Sequence, residues 1–267
     1  MTEGLGKGEI EDFLPLREPL ISAENLEYCE EDGNCLFTEV SFRLEWGQRG
    51  VLLAEPHRCA NILLKICATL IQPTNGRISW FGRSEEESDE KWLPQVRRRI
   101  GFVHRETSLI SNMTILDNIS LAIQYHEEVS REQAYDRITE VLKQFELFRY
   151  RFLRPAELTF EQRRLAVYAR ELVKKPQLFL LEHPSLDLGE RVYSFLIEVF
   201  KTCSIEDGCG FLVASMIPEV VNRWGDWVMV FDKGRCRHFE VGQFDPSIYR
   251  ESMRRRGATL SREWRNG

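Results

Sequence analysis

Two stretches of this 267-residue chain hold side chains that could bind an anion or activate water. The first, Ala54-Glu55-Pro56-His57-Arg58-Cys59-Ala60-Asn61, follows a short apolar run and leads into an apolar segment. A loop at such a junction cradles phosphate when glycines let successive backbone N–H groups curl around the oxygens. A lysine then reaches the outer phosphates and a hydroxyl serves magnesium. No residue from Ala54 to Asn61 is glycine or lysine, and Pro56 has no N–H to donate. A helix beginning near Asn61 still presents its positive end, with His57 and Arg58 close by, enough for a weak anion site. In the second stretch, Leu178-Phe179-Leu180-Leu181 runs into Glu182-His183. A carboxylate there can hold a cation, and a neutral imidazole can polarise water near neutral pH.

Such groups need elements to position them, and the chain alternates between strand and helix patterns. Residues 23–29 and 39–46 alternate as half-buried strands around the turn Asp32-Gly33-Asn34. Residues 50–54 form a short apolar strand and 61–71 an apolar helix that breaks at Pro73-Thr74-Asn75-Gly76. Strands are expected at 77–81 and 100–104, and helical periodicity runs through 111–153 (Ile115, Ile119, Ala122, Ile123, then Ile138, Val141, Leu142, Phe145). A helix over 160–173 precedes the continuous apolar run 178–181, the pattern of a strand covered on both faces. A helix at 192–201, strands at 211–215 and 228–231, and a turn at 232–235 into 236–240 complete the order. This alternation, with a helical insertion, implies an α/β fold with a mostly parallel sheet and an α-helical lobe.

Composition bounds the function. Hydrophobic residues at 43% and charged residues at 29% are those of a globular chain. No apolar run approaches the roughly 18 residues of a membrane span, and no basic-then-apolar leader opens the chain, so a cytosolic protein is expected. The net charge of −6 argues against a general nucleic-acid binder. Seven scattered cysteines without a CxxC pair suggest reduced, mostly buried thiols. Residues 1–22 read as an acidic flexible arm and 84–91 (SEEESDEK) as a solvated loop, while Arg97-Arg98-Arg99 fits a solvated helix end. Residues 243–267 form a basic tail that could meet phospholipid headgroups or an acidic partner, or simply be a solvated helix.

Between the arm and the tail, over 23–242, the chain resembles the ATP-binding subunit of an ABC transporter. The resemblance rests on Gly101-Phe102-Val103-His104-Arg105, on Ser111-Asn112-Met113-Thr114-Ile115-Leu116-Asp117-Asn118-Ile119, on Leu158-Thr159-Phe160-Glu161-Gln162, and on the run from Leu178 to Pro184. Among such subunits it resembles those of bacterial MCE-type (Mla-like) phospholipid transporters, with lipoprotein-release and cell-division cassettes as close competitors. The resemblance implies a RecA-like P-loop core with a mostly parallel sheet, an N-terminal antiparallel β subdomain and an inserted α-helical subdomain at about 106–170. It also assigns positions. Ala54 and Cys59 stand at the flanking glycines of the phosphate loop, Ala60 at its lysine, Asn61 at its hydroxyl, and Ile62 follows. Arg105 replaces the glutamine that couples magnesium and water to the transport partner. Thr159, Phe160, Glu161 and Gln162 stand for Ser-Gly-Gly-Gln, so that Phe160 and Glu161 would bring bulk and negative charge to the γ-phosphate. Glu182 replaces the magnesium-linked aspartate, His183 the glutamate that acts on water, and Met216 the switch histidine.

These replacements together imply a catalytically degenerate cassette with no cofactor expected. The alternatives are a divergent but active ATPase that binds ATP and magnesium, and a soluble scaffold no longer tied to a transporter. The resemblance further implies a membrane permease whose short coupling helix enters a groove lined by residues 106–113, where Thr107, Leu109, Ile110 and Met113 offer small and apolar side chains. It implies pairing with a second copy or another cassette subunit, an MCE-domain partner, and a cytoplasmic position on the inner face of the membrane, held through the permease.

Overall fold

The computed structural model describes residues 18–54, 58–84, 91–124, 130–186, 188–232, 234–247 and 249–251. Strands β1 (Ile21–Cys29) and β2 (Cys35–Leu44) form an antiparallel hairpin. Its turn falls at Asp32-Gly33-Asn34, where Gly33 takes φ 84° and Asn34 N donates to Asp32 Oδ1. Strand β3 (Arg49–Ala54) leads to helix α1 (Arg58–Cys67). Strands β4 (Asn75–Trp80) and β5 (Arg83–Ser84) return to the hairpin and complete an antiparallel sheet of order β2-β1-β4-β5. Helix α2 (Trp92–Arg98) precedes β6 (Ile100–Val103). The helical lobe follows, with α3 (Ile115–Gln124), α4 (Arg131–Gln144) and α5 (Phe160–Leu172). The chain closes through β7 (Leu178–Glu182), α6 (Glu190–Asp207), β8 (Gly210–Ser215), α7 (Glu219–Trp224), β9 (Trp227–Asp232) and β10 (Arg235–Glu240). These strands join β3 and β6 in a second sheet of order β10-β9-β3-β8-β7-β6, parallel except at the β9–β10 edge.

Strands β7 and β8 are buried along their whole length, which is why 178–181 reads as an unbroken apolar run and β8 is apolar from Phe211 to Ala214. The two faces of the sheet serve different cores. Val51 and Leu53 enter the core shared with the helical lobe and α6, while Leu52 and Ala54 enter the one shared with α1 and the antiparallel sheet. Alternation of side chains along a strand makes this division automatic. At Gly50 a Cβ would lie 2.3 Å from the Trp227 ring, so only glycine lets that indole cross the strand.

Several expectations are corrected. Helix α1 ends at Cys67 rather than at residue 71. Thr69 takes φ 61°, Leu70 N donates to Lys65 O and Thr69 N to Ile66 O, a left-handed closure made without glycine. The 111–153 stretch divides into α3 and α4, and α4 starts at a capping box between Ser130 and Gln133. Cys29 and Cys35 face each other across the hairpin and form a disulfide; five cysteines are free. The expected arm reaches too far, because Leu20 is fully buried and β1 begins at Ile21. Residues 1–17, 85–90 and 252–267, with most of the acidic arm, the SEEESDEK loop and the basic tail, lie outside the described residues. The first part of the tail packs, with Phe244 between Phe239 and Tyr249, and Arg250 pairs with Glu219. Arg97 and Arg98 do fall in the last turn of α2. Arg97 donates to Thr69 Oγ1 and the Arg99 guanidinium lies 3.5 Å over Phe81.

Candidate functional site

The C-terminal ends of β3, β6, β7 and β8 converge, and the singled-out residues sit around that edge. The first turn of α1 enters it from below β3. Ala60 is fully buried against the α1-side core, Ala54 closes β3 in the same core, and Ile62 packs beside it. The Cys59 thiol donates to Leu36 O at 3.2 Å, and burial pushes its pKa up. Arg58 turns outward and pairs with Glu30 at the β1–β2 turn, so its charge serves the hairpin. His57 lies outside the described residues.

Asn61 makes the central contact. Its Nδ2 donates to Glu182 Oε1 at 2.5 Å, and its Oδ1 is buried with no partner among the described residues. The other Glu182 oxygen accepts from the Arg105 backbone N–H at 3.1 Å. Glu182, only 8% exposed, therefore ties α1 to the segment that leaves β6. His183 is buried beside it in a left-handed conformation, φ 47°, with its N–H on Ala214 O and its carbonyl accepting from Leu186 N. Met216, half-buried, follows the end of β8, where Ser215 Oγ accepts from Ile217 N.

The signature stretch is occupied with capping. Thr159 is the N-cap of α5, its Oγ1 accepting from Gln162 N while Gln162 Oε1 accepts from Thr159 N. Glu161, expected to project its charge toward a phosphate, instead accepts from Gly189 N at 2.9 Å, at the N-terminus of α6, where a carboxylate also meets the positive helix end. Phe160 stays 45% exposed.

Between α5 and the 105–109 segment lies a cavity of about 300 Å³. Its walls include Arg105, Arg163 and Arg164 with Thr107, Leu109 and Phe160, and His183 closes one side. Ile110 and Met113, expected on the same surface, do not line it; Ile110 is exposed and Met113 half-buried. Three residues that sequence reading did not single out hold this segment in place. Arg164 donates to the carbonyls of Arg105 and Thr107, and Arg170 to that of Ser108. Asn118, fully buried, donates to the carbonyls of Ile110, Met113 and Thr114 and accepts from Ile110 N. The signal for Asn118 was present, since it is a polar residue on the apolar stripe of Ile115, Ile119 and Ala122.

Known proteins resemble this arrangement along most of its length. The molybdate/tungstate import ATP-binding protein WtpC of Pyrococcus horikoshii is 28% identical over 198 residues, 74% of this chain and 55% of its own length. The methionine import ATP-binding protein MetN 1 of Pseudomonas savastanoi is 24% identical over 194 residues, 73% of this chain and 58% of its own. The chain thus spans little more than half the length of these relatives. Among solved structures, cbiO1 from Clostridium perfringens, part of the ABC transporter complex cbiONQ, superposes with a TM-score of 0.76 at 19% identity, covering 91% of this chain and 95% of that one. The dimeric ATP-binding cassette MJ0796, in a post-hydrolysis state with ADP and Pi, gives 0.75 at 23% identity, covering 84% and 100%. The fold is that of these cassettes. The model of the ABC transporter family matches residues 37–185, more than half of the sequence, and the chain belongs to that family as an ATP-binding cassette domain.

Proposed function

We propose that this cassette domain does not hydrolyse ATP and serves as a structural or regulatory part docked on the permease of a membrane transporter, paired with a second cassette. The Asn61–Glu182–Arg105 junction carries the reading. Magnesium requires oxygen ligands in near-octahedral geometry. Here the carboxylate that would meet it already accepts from the Asn61 amide and the Arg105 N–H. Asn61 Oδ1 is a further buried oxygen beside it, and Arg58 is turned to Glu30. This pairing supports the reading that the site does not take a magnesium nucleotide. Calorimetric titration with MgATP should give a dissociation constant weaker than about 1 mM, roughly −4 kcal/mol. Magnesium-dependent binding in the low micromolar range, or hydrolysis that His183→Ala abolishes, would instead establish a divergent active ATPase.

The cavity beside α5 supports the docking half of the proposal. Apolar Leu109 and Phe160 suit a helix face, and three arginines suit a carboxylate on that helix. No helix among the described residues is long and apolar enough to cross a membrane, so the proposed attachment to the inner face of the membrane runs through the permease. WtpC and MetN 1 are named for importing other solutes. Our proposal of phospholipid cargo, with an MCE-domain partner, rests on the sequence resemblance. Affinity purification of the protein from detergent-solubilised membranes tests both, and recovery without any permease would favour a free scaffold.

A further inference from the structure

We infer that Cys29 and Cys35 form a reversible redox site, a dithiol that a hydroperoxide closes to a disulfide and that thereby stiffens the first turn of α1. The pair closes the β1–β2 hairpin beside its turn, with Cys29 on β1 directly opposite Cys35 on β2. Cys35 is exposed and Cys29 half-buried, so oxidant reaches Cys35 first. The other five cysteines differ. Cys67, Cys203 and Cys209 are buried, and burial pushes the thiols of all five upward, which keeps them protonated and poorly nucleophilic.

The step balances without any bound cofactor. The Cys35 thiolate attacks one oxygen of the hydroperoxide, the O–O bond breaks, and water or an alcohol leaves after taking up a proton. Cys35 is then a sulfenic acid. The Cys29 thiolate attacks that sulfur, the S–S bond forms, and hydroxide leaves as water with the proton that Cys29 released. The two thiols lose two electrons in all and the peroxide gains them. A small dithiol reverses the reaction by exchange through a mixed disulfide.

The disulfide matters because the hairpin holds the start of α1 at two points. Glu30, adjacent to Cys29, pairs with Arg58, and Leu36, adjacent to Cys35, accepts the Cys59 thiol through its carbonyl. Arg58 and Cys59 open α1, three and two residues before Asn61. Closing the pair fixes both anchors relative to each other, so the stiffening passes from the hairpin to the helix. In this closed pair both sulfurs stand beside Glu27, and the three donor atoms lie within 4.8 Å of one another. That grouping sets up the competing outcome, capture of a soft divalent metal.

The full chain is reduced with dithiothreitol, desalted and treated with hydrogen peroxide, then followed by intact mass, peptide mapping and amide hydrogen exchange. A single disulfide between Cys29 and Cys35, reversed by dithiothreitol, is expected. Exchange should slow about tenfold both in the turn 30–34 and at the first turn of α1. Cys35→Ser should be insensitive to peroxide, and the exposure of Cys35 makes this variant tolerable to the fold. In Glu30→Gln the disulfide should still form while slowing at α1 is largely lost. The inference is overturned if peroxide leaves both thiols free or pairs either with another cysteine. It is equally overturned if protection stops at the turn, or if the reduced protein takes up one zinc ion that shields both thiols.

Discussion

The Asn61 amide stands 2.5 Å from a Glu182 oxygen, on a carboxylate with 8% of its surface exposed. Hydrogen bonds to charged groups contribute about 1.5–3 kcal/mol, and removing one partner leaves the other incompletely solvated. Asn61→Ala should lower the unfolding free energy by about 2 kcal/mol, the relief of the buried Oδ1 holding the figure below the upper bound. Glu182→Ala should cost more, because it strands both the Asn61 amide and the Arg105 N–H. The double variant should fall short of the sum by about 1.5–3 kcal/mol, the coupling expected of groups in direct contact. Urea titrations monitored by tryptophan fluorescence supply the four free energies. Thermal melts should place Asn61→Ala about 4–8 °C below the parent, from roughly 2–4 °C per kcal/mol at this size. If the two single changes add to within about 0.5 kcal/mol, the amide and the carboxylate do not interact, and the account of how α1 is fastened to β7 fails.

Three further outcomes can be measured. Asn118→Ala should destabilise by about 2–4 kcal/mol, since it strands the Ile110 N–H and several carbonyls, and hydrogen exchange should speed up across 110–114. Burial raises the Tyr193 phenol to about 12, so the folded state holds its proton longer than the unfolded chain does. That contribution is full below pH 10 and lost as pH rises through about 12; denaturation midpoints should fall across this window, and the fall should be smaller in Tyr193→Phe. Leu109→Asp should weaken permease binding in pull-downs by about 2 kcal/mol or more, while Glu182→Ala with His183→Ala should cost much less provided the fold is intact. The reverse ranking sinks the docking reading.

The sheet was legible because its strands carry their burial in their composition. The runs 178–181 and 211–214 are apolar throughout, and each became part of an inner strand. The helical lobe was legible as periodicity but not as boundaries. The division between α3 and α4 depends on where Ser130 caps, a local hydrogen bond that hydrophobic spacing does not record. Residue types around the site were readable, yet their partners were not. Nothing adjacent to Glu161 in the chain marks Gly189 as its acceptor's donor, and nothing near Arg58 points to Glu30, because both contacts bridge 28 positions. The Cys29–Cys35 pairing was missed for a different reason. The hairpin register that opposes them depends on Gly33 adopting a left-handed turn, and β2 starts earlier than its apolar pattern suggested.

The segment from Arg105 to Thr114 is held almost wholly by its backbone. Arg164, Arg170 and Asn118 bind its carbonyls, Glu182 takes the Arg105 N–H, and Asn118 takes that of Ile110. Carbonyls and amides are common to every residue but proline, so the path of this segment is nearly independent of which side chains it displays. The exposed Ser108, Ile110, Ser111 and Asn112 can therefore be exchanged with little effect on shape, while α3 and α5 keep the loop in position. Partner choice and architectural integrity become separable properties, written in different residues. A recognition surface can then diversify, or be re-engineered by grafting another loop sequence, without reopening the problem of how the domain folds.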